Sequence, residues 1–98
     1  MAFIDLSGVS GAKYRFRLWR DGTDHLPIAG NFVVVLEGSA EVAVIGMTND
    51  LSQARSATKA KGEAHVYTRL NVARATREAE HADLLSHYPK ARVVGEEG

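Results

Sequence analysis

No cysteine occurs among the 98 residues, which excludes a disulfide framework, thiol chemistry and a cysteine-ligated zinc or iron–sulfur site. No apolar run approaches the roughly 20 residues that a membrane-spanning helix needs. Met1-Ala2-Phe3-Ile4-Asp5 lacks the basic start and apolar centre of a secretory signal, so the expected compartment is the cytoplasm, with no membrane partner. Net charge is missing too: twelve basic residues balance twelve acidic ones, and no global field draws in a polyanion. Internal repeats and low-complexity segments are absent. What remains is 45% hydrophobic and 24% charged, an ordinary globular composition, long enough for one modest core and too short for two.

The charge is unevenly placed. Between Ser52 and Ala79 stand six basic residues, Arg55, Lys59, Lys61, Arg69, Arg74 and Arg77, against the two acidic residues Glu63 and Glu78. Residues 1–51 and 80–98 are each acidic on balance. Any contact with DNA or RNA phosphates is therefore expected from that middle segment.

Two short apolar segments, Phe3-Ile4-Asp5-Leu6 and Tyr14-Arg15-Phe16-Arg17-Leu18-Trp19, flank a small-residue connection and predict an N-terminal hairpin over 2–19. The second arm places Tyr14, Phe16 and Leu18 on one face and Arg15, Arg17 and Trp19 on the other. Residues 20–29 are polar, with Asp21-Gly22 and Pro27, and predict a loop. A strand from Gly30 to Leu36 is apolar on both faces, and a turn at Glu37-Gly38-Ser39-Ala40 leads to a second strand ending near Gly46.

Thr48, Asn49 or Asp50 then caps a helix reaching about Lys61, with Leu51, Ala54, Ala57 and Thr58 toward the core and Gly62 as its stop. A further strand, Ala64 to Leu70, precedes a last helix from about Val72 to His87, capped by Asn71 and ended by Pro89. Its core stripe is expected at Ala75, Ala79, Ala82 and Leu85, widened by Leu84 and Tyr88. The order strand, strand, strand, strand, helix, strand, helix predicts one α+β domain over 1–94, with a small, mostly antiparallel sheet flanked by helices and a fraying acidic tail at 95–98.

The words Gly30-Asn31-Phe32, Val44-Ile45-Gly46-Met47-Thr48-Asn49-Asp50-Leu51 and Glu80-His81-Ala82-Asp83-Leu84-Leu85-Ser86-His87-Tyr88-Pro89 follow one another in an order and spacing that resembles the GIY-YIG nuclease domain. The hairpin before them is similar to one in small bacterial proteins of that type. The resemblance implies a pair of strands carrying two catalytic tyrosines, a helical arginine and a glutamate that holds Mg2+ or Mn2+. Here Phe32 and Val44 stand at the two phenol positions, Ala54 at the arginine position and Arg92 at the closing asparagine. Only Glu80 matches directly, as a metal ligand. The resemblance thus implies a degenerate nuclease site.

Other residues offer two readings each. Tyr67, His65 and Arg69 share a strand face and can supply a phenol, an imidazole and a cation together, or simply form a solvated strand face. Glu80, Asp83 and His87 share a helix face suited to a hard divalent cation, or to water. Arg74 and Arg77 have acidic neighbours one helical turn away, so local ion pairs also account for them. Trp19 can stack on a base or a protein partner, or pack in the core. His25 sits in the polar loop and His81 near Arg77, without a partner cluster. Three functions follow: a catalytically inactive nucleic-acid-binding module contacting phosphates through Arg55, Lys59, Lys61, Arg69, Arg74 and Arg77; a divergent metal-dependent endonuclease using Glu80; or a protein-interaction module on the same scaffold.

Overall fold

The computed structural model describes residues 2–39, 41–58 and 64–95, without the side chains of Ala57 and Thr58. The apolar and alternating segments form strands β1 (Phe3–Ser7), β2 (Lys13–Trp19), β3 (Gly30–Leu36), β4 (Val42–Thr48) and β5 (Ala64–Leu70). A 3-10 turn, Leu51–Gln53, runs into the short helix α1 (Ala54–Thr58), and α2 spans Arg74–His87 before a last strand, β6 (Arg92–Val94). One six-stranded sheet has the order β1-β2-β5-β3-β4-β6. Every pairing is antiparallel except β4 with β6. The sheet is therefore mixed, and β6 is a strand that the sequence pattern did not announce. No helix among the described residues is long and apolar enough to cross a membrane.

Side-chain alternation divides the core between the two faces of the sheet. Phe32, Val34, Val44, Val66 and Trp19 lie on one face beneath Leu51 and Ala54. Phe16, Val33, Ile45 and Leu6 lie on the other, against Leu84 of α2 and Ala91. Strand β3 is buried on both sides, as its unbroken apolar run requires. Ala43 is an extra residue in β4, since Val34 pairs with Val44 and Val35 with Val42. Gly46 is dictated by packing: a Cβ there would overlap the ring of Phe32, which lies across it from β3.

Three helical expectations need correction. Asp50 does cap the turn after β4, its carboxylate accepting from the Ser52 amide at 3.0 Å, but the first turn is 3-10 and α1 is described only to Thr58; Lys59, Lys61 and Gly62 lie outside the described residues. Asn71 does not cap α2, which begins at Arg74 behind Ala73. Its side chain instead joins the polar network described below. Finally, Ala75, Ala79 and Ala82 are exposed. The face of α2 on the sheet carries Arg77, His81 and Leu84, on the opposite arc at about 100° per residue, and Tyr88 follows just past the helix end. Burying the stem of Arg77 and the ring of His81 removes more apolar surface from water than three methyl groups would.

Candidate functional site

The positions implied by the nuclease resemblance do not all meet: Glu80 stands apart from the others. Phe32, Val44 and Ala54 are buried together on the α1 face of the sheet. Glu80 projects from α2 onto the opposite face, and Arg92 is exposed on β6, beside Val44 in register. The thickness of the sheet separates the glutamate from the two strand positions.

Glu80 belongs to a polar network that fastens β5 to α2. Its carboxylate accepts from Arg69 Nε at 2.8 Å and from Asn71 Nδ2 at 3.1 Å. Asn71 Nδ2 also donates to Oδ1 of the buried Asn31 at 2.9 Å, and Asn31 Nδ2 donates to the Arg77 carbonyl at 3.1 Å. Arg77 closes the circuit by donating from Nη1 to the carbonyls of Val72 at 2.7 Å and Asn71 at 3.1 Å. These bonds satisfy backbone acceptors in the connection ahead of α2 that no strand or helix partner reaches. Beside them His81 is 7% exposed. Burial holds its pKa below the ordinary histidine value by disfavouring the charged ring.

Asp83 and His87 do not join Glu80. The Asp83 carboxylate accepts from the Tyr14 hydroxyl at 2.7 Å, the Ser10 hydroxyl at 2.7 Å and the Ser10 amide at 2.9 Å. The Tyr14 bond first, then those of Ser10, hold its carboxyl below the ordinary carboxylate value. This contact ties the β1–β2 turn to α2, and Gly8 makes room for it, since a Cβ there would overlap the carboxylate. His87 is exposed with its ring edge to Tyr88. Among the described residues no group of three or more His, Asp or Glu side chains converges as a metal would require.

The basic segment is likewise dispersed. The Arg55 guanidinium lies 4.0 Å over the Trp19 ring and donates to the Trp19 carbonyl at 2.6 Å. Arg69 is held by Glu80, Arg74 pairs with Glu78 at 2.8 Å, and Arg77 is buried. Lys59 and Lys61 lie outside the described residues. Arg55 thus serves the α1 face of the sheet, while Arg69 and Arg77 serve the α2 face. Of the Tyr67, His65 and Arg69 trio, Tyr67 packs into the α2-side core, Arg69 reaches Glu80, and His65 sits 3.7 Å from Glu37.

A different surface does assemble. The 3-10 turn and α1 cover β3, β4 and the end of β2 at Trp19, leaving the same sheet face open over β1, β2 and the start of the following loop. Phe3, Arg17 and Thr68 stand in one row across β1, β2 and β5. Arg15 bonds Asp5 at 2.9 Å and lies 4.0 Å over the Phe3 ring. Arg17 and Arg20 make no hydrogen bond or ion pair through their side chains among the described residues.

The 20–29 loop walls this face. Trp19 Nε1 donates to the Thr23 carbonyl at 2.8 Å, and the Trp19 ring meets the His25 ring edge-on at 5.1 Å. His25 Nδ1 lies 2.8 Å from the Leu26 carbonyl and Nε2 lies 2.7 Å from Thr68 Oγ1. A carbonyl only accepts, so Nδ1 carries the hydrogen, and in the neutral ring Nε2 accepts from the threonine hydroxyl. Between loop and sheet runs a groove of about 600 Å³, with Arg17, Arg20, His25, Leu26, Thr68 and Leu70 among its lining. Trp19 is a buried part of its floor, with Arg55 over its ring and His25 in edge contact with it. The alternation of Lys13, Arg15 and Arg17 along one strand is the sequence signal for this surface.

Comparison with protein-family models, with curated proteins and with solved structures found no match to this chain.

Proposed function

We propose that the domain is a non-catalytic, cytoplasmic nucleic-acid-binding module that contacts phosphates through the open face of β1, β2 and β5. The observation that carries the reading is the pair Arg17 and Arg20, two cations whose side chains have no hydrogen-bond or ion-pair partner among the described residues, at the rim of a groove whose only acidic lining among the described residues is Asp24. Arginine presents a fork of donors suited to phosphate oxygens. This surface takes the place of the Arg55–Arg77 segment, whose described arginines are engaged in holding the fold. The reading does not depend on descent from GIY-YIG nucleases.

Fluorescence anisotropy with a labelled oligonucleotide tests it. Two phosphate contacts give an affinity that falls about seven- to twelvefold between about 50 and 200 mM salt. Arg17→Ala or Arg20→Ala should each remove about half of that salt dependence. Absence of binding at about 20 mM salt would overturn the proposal.

Exposed Leu26 and Leu70 on the groove rim favour a second reading, a site for a peptide that is apolar and acidic. It predicts that Leu70→Ser weakens binding more than Arg17→Ala. An endonuclease using Glu80 with Mg2+ or Mn2+ has the least geometric support, because Arg69 and Asn71 already share that carboxylate.

A further inference from the structure

We infer that the open face takes a single strand of nucleic acid crossing β1, β2 and β5, with one base stacked at Phe3–Arg15, a phosphate on Arg17 and a second base in the groove beneath the 20–29 loop. This rests on the binding reading above and specifies its ligand. Phe3, Arg17 and Thr68 are register neighbours on three adjacent strands, so Phe3 and the groove floor are about 10 Å apart with Arg17 midway. A sugar–phosphate chain that crosses the strands therefore meets an aromatic, a cation and a cavity in that order.

Each station has the chemistry for its occupant. The Phe3 ring is partly exposed, and the Arg15 guanidinium over it is itself open to solvent. Its planar outer face extends the ring as a stacking platform. The groove, at about 600 Å³, falls within the range of small-molecule sites, large enough for one base. Leu26 and Leu70 offer apolar walls to the base faces. Thr68 Oγ1, which donates to His25 Nε2 when the ring is neutral, then keeps lone pairs that accept from an exocyclic amino group.

A duplex fits this surface poorly. Its bases are paired and stacked inside, and reading its major groove takes a protruding helix or ribbon, whereas the feature here is a groove between loop and sheet. An unstacked base is available only from a single strand.

The test is competition against a labelled single-stranded octamer in anisotropy at about 50 mM salt, using the full chain. The unlabelled octamer should compete at least about tenfold better than its blunt duplex, and better than an octamer of abasic sugar phosphates by a similar factor. Phe3→Ala should weaken binding about tenfold and Phe3→Trp should restore it, with circular dichroism showing both variants folded. Thr68→Val should weaken adenine- or cytosine-containing strands more than thymine strands. If duplex and abasic chain compete within about twofold of the single strand, or folded Phe3→Ala binds as wild type does, the inference falls while the phosphate-binding reading stands. If none of the three binds, both fall.

Discussion

Replacing Glu80 by alanine separates a fold-holding carboxylate from a metal-binding one. The substitution removes the acceptor for Arg69 Nε at 2.8 Å, Arg69 Nη2 at 3.4 Å and Asn71 Nδ2 at 3.1 Å. Among the described residues Arg69 is then left with a 3.4 Å contact to the Arg15 carbonyl and its position 5.5 Å over the Tyr14 ring. A charge-assisted bond contributes about 1.5–3 kcal/mol and a neutral one about 1. The Glu80 side chain is only 13% exposed, whereas Arg69 is 30% exposed, so water partly rescues the orphaned guanidinium and the loss stays below that of a fully buried pair. The expected destabilisation is about 3 kcal/mol, which lowers Tm by roughly 12–24 °C for a domain of this size. Glu80→Gln keeps an acceptor without the charge and should cost about half as much. A carboxylate held for a metal behaves in the opposite sense, because in chelator-treated buffer its removal relieves desolvation and is neutral or stabilising. Thermal melting in metal-free buffer decides the matter. A Glu80→Ala protein melting within about 2 °C of wild type, or a wild type stabilised by Mn2+, would refute the reasoning.

Gly46→Ala should destabilise by about 1–3 kcal/mol, because the new Cβ overlaps the fully buried Phe32 ring; the urea midpoint should fall with an unchanged m-value. His81 has a folded-state pKa below its ordinary value of about 6.5, so below that pH the unfolded chain takes a proton that the native ring refuses. Stability should therefore fall as pH drops from about 6.5 toward 5, and His81→Gln should flatten that slope relative to wild type in urea titrations. For Asp83, also depressed in the folded state, the stabilising contribution is present above about pH 4 and lost as pH falls through the lower native value. Asp83→Asn should show less acid sensitivity between about pH 4 and 2, measured by the pH dependence of Tm.

The strands were legible because their signal is local. Alternation in Tyr14 to Trp19 and the unbroken apolar run of Val33, Val34 and Val35 specify one covered face and two covered faces directly, and β1 to β5 match those patterns within a residue or two. Strand β6 has only Arg92, Val93 and Val94, a span set by its parallel partner β4 rather than by its own pattern. Leu84, Leu85 and Tyr88 pack on the core as their spacing indicates, but the earlier turns of α2 were misread because alanine counts as apolar in a periodicity argument, while the stem of Arg77 and the ring of His81 count as polar. The spacing of Glu80 from the strands was visible, but sheet face was not. That depends on which side α2 crosses, and Asn31, facing α2 next to the oppositely directed Phe32, is the residue that reveals it. The row Phe3, Arg17 and Thr68 joins three strands distant in sequence, so no local pattern could have shown it.

Strand β5 lies between β2 and β3 although it is the fifth to be made. The hairpin of residues 3–19 and the hairpin of residues 30–48 share no hydrogen-bonded edge until it arrives. A ribosome that has released only the first 58 residues therefore holds two ribbons with no ladder hydrogen bonds between them, and with Phe16 and Val33 lacking the helix that covers them. Closure of the sheet waits for Leu70, and covering of its second face waits for Leu84, so for most of its synthesis this domain depends on whatever shields nascent apolar surface.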